Sequence, residues 1–184
     1  MPGKPLFSAL IDLPFAVSPV VIGFTLILVY GQNGWFGSWF IDHGYPIIFS
    51  VPGMVIATIF ASLPFVAREV IPVLREIGTE QEQAASTLGA TPLQTFRRIT
   101  LPAIRGALAY GVVLALARSL GEYGAIAVVS GRLVGRTQTV TLFVQERYQN
   151  FDQQAAYASA LVLVATAVIA LLISRALRPK ELAR

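Results

Sequence analysis

With 184 residues, 55% of them hydrophobic and 13% charged, and a mean hydropathy of +0.66, the chain carries too much apolar surface to stay in water as a monomer and belongs in a bilayer. The absence of cysteine excludes disulfides and thiolate metal sites, and a single histidine, His43, excludes most catalytic triads and zinc sites. The net charge of +4 comes from basic residues spread along membrane-flanking segments, which excludes nucleic acid as a partner.

The pattern is all-α and polytopic, a single membrane domain over 1–184. Four apolar runs, near 13–30, 47–67, 104–129 and 155–174, reach or approach the roughly 20 residues that cross about 30 Å of hydrocarbon as a helix. The start, Met1-Pro2-Gly3-Lys4 followed by a run holding Asp12 and two prolines, is not a signal peptide. Pro14 and Pro19 in the first run, and Pro52, Gly53 and Pro64 in the second, predict interruptions of the i→i−4 ladder. Such breaks survive in lipid where neighbouring helices or a water-lined cavity satisfy the freed groups, so these two helices are expected to line something.

Loop 31–46 holds no Lys or Arg, whereas 68–105 carries Arg68, Arg75, Arg97, Arg98 and Arg105, and the tail carries Arg175, Arg178, Lys180 and Arg184. The basic bias places those two segments, and with an even helix count Lys4, in the cytoplasm. Arg132, Arg136 and Arg147 fall on the other side and weaken the bias without reversing it. Trp35, Phe36, Trp39, Phe40 and Tyr45 make an interfacial belt or, on a second reading, a dock for an extracytoplasmic partner. His43 reads as a solvated loop residue without a role.

Between the second and third runs the composition turns polar. Thr79 and Glu82 stand at capping-box spacing and predict a helix start; Ala84, Ala85 and Leu88 then share a face, and Gly89 predicts its end. Thr91-Pro92-Leu93-Gln94 repeats the start signal and opens a second helix with Leu93, Phe96 and Ile99 on one side and Arg97 and Arg98 on another. Helices of about ten residues are marginal alone in water and need a surface to lie on. The order Gln83-Ala84-Ala85, three residues, Gly89, nine residues, then Ile99-x-Leu101-Pro102 resembles the EAA signature of ATP-binding-cassette importer permeases. The resemblance implies a cytoplasmic coupling segment, 79–102, in which Glu82, Gln83, Ala84, Ala85, Leu88, Gly89, Leu101 and Pro102 seat on a separate ATPase subunit. The family's leading Glu falls on Gln83, which keeps hydrogen bonding and loses the charge.

The third run contains Arg118 and Glu122, four residues apart and expected on one helix face. Each charge at that depth costs at least about 2.5 kcal/mol unless paired, so they are expected to pair, either facing a translocation route or gate or locking helices together. The words Ala117-Arg118-Ser119-Leu120-Gly121-Glu122-Tyr123-Gly124-Ala125 and Val128-Val129-Ser130-Gly131, with Ile11 to Val20 and Pro64 to Glu69, are similar to the sulfate/thiosulfate and molybdate group of these permeases. Permeases of that group have about six helices and the likeness begins almost at Met1, so the chain is expected to lack the first two; a four-helix variant is the alternative.

Ser18, Ser50, Ser62, Ser119 and Ser130 offer hydroxyls to a dianion or close packing to neighbouring helices. Arg118, Glu122, Ser119 and Ser130 are the expected path or gate residues. The 131–152 loop, with Thr137, Thr139 and Thr141, is expected to form a short helix at the outer face.

The resemblance implies an importer subunit in a bacterial inner membrane, partnered by membrane lipid, a second permease, an ATPase dimer and an extracytoplasmic sulfate-binding protein. No cofactor is expected on this chain: without a Walker-type glycine-rich loop, ATP and Mg belong to the ATPase partner. Molybdate or tungstate is the alternative cargo. A membrane-embedded enzyme using Glu122 and Arg118 lacks any nucleophile–base pair or ligand cluster at suggestive spacing, and a non-transporting tetraspan protein is the remaining rival.

Overall fold

The computed structural model describes residues 11–176; Lys4, Arg178, Lys180 and Arg184, which helped to orient the chain, lie outside the described residues, as does the Arg175 side chain. The described residues are helical, without a strand. In chain order, α1 is Pro19–Tyr30, α2 Gly37–Asp42, α3 Val51–Ile77, α4 Glu80–Thr87, α5 Pro92–Ser119, α6 Gly124–Val129, α7 Val140–Gln149 and α8 Gln153–Ala176.

Three helices among the described residues are long and apolar enough to cross a bilayer: α3 with 27 residues, α5 with 28, and 21 residues of α8. Of the four expected runs, the first is helical in two pieces among the described residues, 11–16 and 19–30. It breaks at Val17–Ser18, because the residue before a proline is driven to extended backbone, and Ser18 stands at φ −59°, ψ 136° ahead of Pro19. The helix beyond the break, α1, has 12 residues and is about 18 Å long at 1.5 Å per residue, short of the hydrocarbon thickness. The second run is an uninterrupted helix through Pro64 and Pro72, with Pro52 in its first turn, where a missing N–H is no loss. The third run, expected to continue to 129, stops at Ser119; its remainder turns back as the separate helix α6.

α3 and α5 pack antiparallel, with Val66 opposite Gly111 and Ser62 opposite Ser119. A Cβ on Gly111 would stand 3.0 Å from the Val66 Cα, so the crossing needs glycine there. α1 and α3 pack against α6, while α8 packs against α7 and α5. The core gathers around α6: Ala125 and Val129 are fully buried with Ala57, and Ile47 and Ile48 close over them beside Leu26, Ile27, Tyr30 and Met54. The 47–50 segment is fixed to α6 by a hydrogen bond from the Phe49 N–H to the Val129 carbonyl at 2.8 Å, with Phe49 held at φ 61°. The long helices leave large apolar side chains outside, among them Leu63 and Ile59 of α3, Leu116 of α5 and Leu161 and Leu172 of α8, as a chain solvated by lipid requires.

Residues 140–149 form the short helix expected in the 131–152 loop. The aromatic residues of 31–46 are mostly exposed, with Phe40 packed between Tyr30 and Trp39, and His43 stacks on Trp39 with Nδ1 2.7 Å from the Trp39 carbonyl.

Candidate functional site

Two polar regions carry the sequence-predicted residues, joined by α5. The first begins at Thr79. The capping box expected with Glu82 does not form: the Thr79 hydroxyl accepts from the Gln83 amide at 3.2 Å and caps no backbone N–H. The Glu82 carboxylate is occupied elsewhere, accepting the Thr100 hydroxyl at 2.6 Å across to α5. This clasp links two segments 18 residues apart, a tertiary contact without a sequence signal. It lies over a void of about 10 Å³ between Leu74, Ile77, Glu82, Ile99, Thr100 and Ala103, so the underside of α4 is closed against α3 and α5.

The end of α4 agrees with the sequence. Gly89 stands at φ 79°, its N–H bonds the Ser86 carbonyl at 3.0 Å and the Ala90 N–H bonds the Ala85 carbonyl at 3.0 Å, a paired closure of a helix C-terminus that requires the left-handed residue. The next start also agrees: the Thr91 hydroxyl accepts from the Gln94 N–H at 3.3 Å and the Gln94 side chain accepts from the Thr91 N–H at 2.9 Å. The helix opened there is not a second short rod, however. It passes through a π-helical turn, Phe96–Thr100, and continues as the membrane helix Leu101–Ser119, with Pro102 in the first turn of the α-helical stretch beyond the wide turn and Gly106 tolerated inside it.

No residue of α4 is buried. Ala85 is half-buried, while Gln83, Ala84, Leu88 and Gly89 are exposed, Leu88 to 88%; Leu93 and Phe96 add exposed apolar surface beside it. Leu101 is half-buried and Pro102 exposed in the first turn after the π segment.

The second region lies at the far end of α5. Arg118 and Glu122 pair as expected, Nη1 to Oε2 at 3.3 Å, but not along one helix: α5 ends at Ser119 and Glu122 lies in the turn beyond it. The side chains differ in burial, 44% exposed for Arg118 and 3% for Glu122. The other Glu122 oxygen accepts the Ala125 N–H at 3.3 Å in the first turn of α6, and the Glu122 carbonyl accepts the Thr141 hydroxyl at 3.0 Å from α7. One buried carboxylate thereby ties α5, through Arg118, to α6, and its backbone adds α7. Glu122 engages the guanidinium at Nη1, and much of the Arg118 side chain stays exposed.

Ser119 belongs to this end. Its hydroxyl donates to the Ala115 carbonyl at 2.7 Å, which spends its one proton, so in the 2.8 Å contact with Ser62 across the α3–α5 crossing Ser62 is the donor. Ser130 is apart from the group: its buried hydroxyl donates to the Thr137 carbonyl at 2.5 Å and accepts from the Arg132 N–H at 3.0 Å, shaping the 130–137 loop. Sequence reasoning assigned no partner to Thr100 or Thr141, whose contacts are set by folding alone.

Against known proteins, residues 2–181 match the family described as binding-protein-dependent transport system inner membrane component. Over 179 residues the chain is 55% identical to a sulfate transport system permease protein CysW of Synechocystis sp., covering 97% of this chain and 65% of that protein. It is 46% identical over 177 residues to the Escherichia coli protein of the same name, covering 96% of this chain and 61% of the relative. It is 42% identical over 170 residues to the sulfate transport system permease protein CysT of Salmonella typhimurium, covering 92% and 61%. The chain thus spans somewhat under two thirds of the length of these relatives.

Proposed function

The chain belongs to the family of binding-protein-dependent transport system inner membrane components, and from that premise we propose that it is a permease subunit of an ATP-driven importer carrying sulfate or thiosulfate into the cell. It encloses the path with a second permease subunit, docks a cytoplasmic ATPase dimer through 79–102, and receives the anion from an extracytoplasmic binding protein. The names of the CysW and CysT relatives support the cargo and the pairing of two permeases. The tail and 79–102 face the cytoplasm, ATP and Mg reside on the partner, and this chain contributes motion.

The observation that carries this reading is the build of α4. An eight-residue helix with nothing buried is unstable alone, yet it is closed at its C-terminus, clasped to α5 through Glu82 and Thr100, and left with Leu88, Leu93 and Phe96 outward. A rod shaped in this way suits a partner that grips and moves it. When ATP closes the ATPase pair, α4 moves with it and the clasp passes the displacement to α5 at Thr100, and the other end of that helix carries Arg118 and Ser119. Arg118, backed by Glu122, then meets the dianion at the path, with Ser119 beside it.

Gly89→Pro tests the coupling. Proline cannot adopt φ 79° and lacks the N–H that bonds Ser86, so the variant loses the closure of α4 while the spans remain. Insertion is expected to persist, with sulfate uptake falling at least about tenfold relative to ATP hydrolysis. Because the chain has no cysteine, Ala85→Cys or Leu88→Cys gives a unique crosslinking site; uptake that survives Gly89→Pro, or a crosslink that never captures an ATPase in transporting cells, overturns the reading.

A further inference from the structure

Arg68 and Arg75 lie seven residues apart on α3, two turns along one face, and both line a cleft of about 250 Å³ whose remaining walls are Ile11, Ala67, Ile71, Pro72 and Asp12. Neither arginine serves the two polar regions at the ends of α5. The Arg68 guanidinium lies 3.9 Å over the Phe15 ring, which fixes its plane and leaves its N–H edge open. Asp12 approaches it only to 3.7 Å, beyond hydrogen-bond reach, with both side chains about 60% exposed. Among the described residues Arg75 makes no ion pair or side-chain hydrogen bond. Two cations against one carboxylate leave the cleft a single positive charge.

The depth of the cleft is set by helix length. α3 has 27 residues, about 40 Å, so with Val51 at one hydrocarbon boundary the other falls near Arg68 to Ile71, after about 30 Å. Arg68 then sits at the edge of the hydrocarbon and Arg75 about 10 Å beyond it, among headgroups. Glu69, next along the chain, is turned away toward α5, where its Cβ lies 3.3 Å from the position a Gly111 Cβ would take. The cleft therefore offers one cation at the hydrocarbon edge and one among the headgroups, with the apolar side chain of Ile71 between them in depth.

We infer that this cleft binds the headgroup of one anionic phospholipid, its phosphodiester between Arg68 and Arg75 with the glycerol against Ile71 and Ile11, and its acyl chains running past Arg68 into the hydrocarbon. The phosphodiester supplies the one negative charge that the cleft lacks, and guanidinium edges suit its oxygens. A soluble phosphate would use the same cations without the apolar wall. The site is independent of the transport reading, because it requires only that α3 stand in a bilayer.

Native mass spectrometry of the full chain in detergent, with equal phosphatidylglycerol and phosphatidylcholine, tests this. The wild-type chain is expected to retain phosphatidylglycerol preferentially, with about fivefold of that preference coming from each arginine. Arg75→Gln alone, which breaks no contact, should lower the preference about fivefold; Arg68→Gln with Arg75→Gln should abolish it; both changed to Lys should keep most of it; and Arg136→Gln, an exposed arginine elsewhere, should leave it intact. Equal retention of the two lipids, an unchanged Arg75→Gln variant, or displacement of the lipid by glycerol phosphate would overturn the proposal.

Discussion

Between Thr79 and Thr100 the polar groups stand in water and tie the chain mostly to its near neighbours, whereas between Ser119 and Thr141 they stand away from water and tie separate elements together. Hydroxyls and a hydrogen-bonded carboxylate occur in both, but Glu122, Ser130 and Thr137 are only 4%, 5% and 4% exposed and no residue of α4 is buried. A lost bond is replaced by water in the first region and leaves a stranded donor or acceptor in the second. The contrast separates a turn after α5 whose polar groups join buried elements from a segment around its start whose polar groups are exposed.

Removing the buried carboxylate has the largest expected effect. Glu122→Ala leaves the Ala125 N–H and Arg118 without their acceptor and should cost about 2–3 kcal/mol, toward the low end for a broken buried pair because Arg118 keeps 44% exposure. Glu122→Gln keeps an acceptor for Ala125 and should lose about half as much. Thermal unfolding in detergent measures both, and an unchanged midpoint for Glu122→Ala would break the contrast on its buried side.

Thr100→Val comes next. Losing the 2.6 Å bond to Glu82 should release α4 by about 1.5 kcal/mol, roughly a tenfold loss of hydrogen-exchange protection over 80–87, with the global unfolding midpoint little moved. A midpoint that fell as far as in Glu122→Ala would show that the clasp supports the whole fold. The smallest and sharpest test compares two threonines at helix starts. Thr91→Ala should cost its helix start about 1 kcal/mol, while Thr79→Ala, which caps nothing, should stay within about 0.5 kcal/mol, both read by exchange at the adjoining amides.

Those threonines also show what could be read from the chain. Thr91 and Gln94 form the expected box because both partners lie within one turn and nothing competes; Thr79 and Glu82 have the same spacing, but Thr100 takes the carboxylate, a competition visible only after folding. Gly89 was legible because one backbone conformation demands it. The break at Ser119 was not, since hydropathy stays high on both sides and only Gly121, Glu122 and Gly124 interrupt it. The Arg118–Glu122 pair survives that error because a tight turn brings residues four apart as near as a helix does. Ser130 shows the reverse case: it is adjacent to α6 in sequence, yet its bonds go to the loop after it.

The π-helical turn at Phe96–Thr100 has a geometric consequence for α5. A wide turn accommodates one residue more than an α-turn, and in an α-helix each residue advances the azimuth by about 100°. Leu93, eleven residues before Ile104, would share its azimuth in an unbroken α-helix and is turned by roughly 80° out of the stripe that Ile104, Ala107, Gly111 and Ala115 bury above. The extra residue thus turns Leu93 outward at the foot while the span above keeps its buried face.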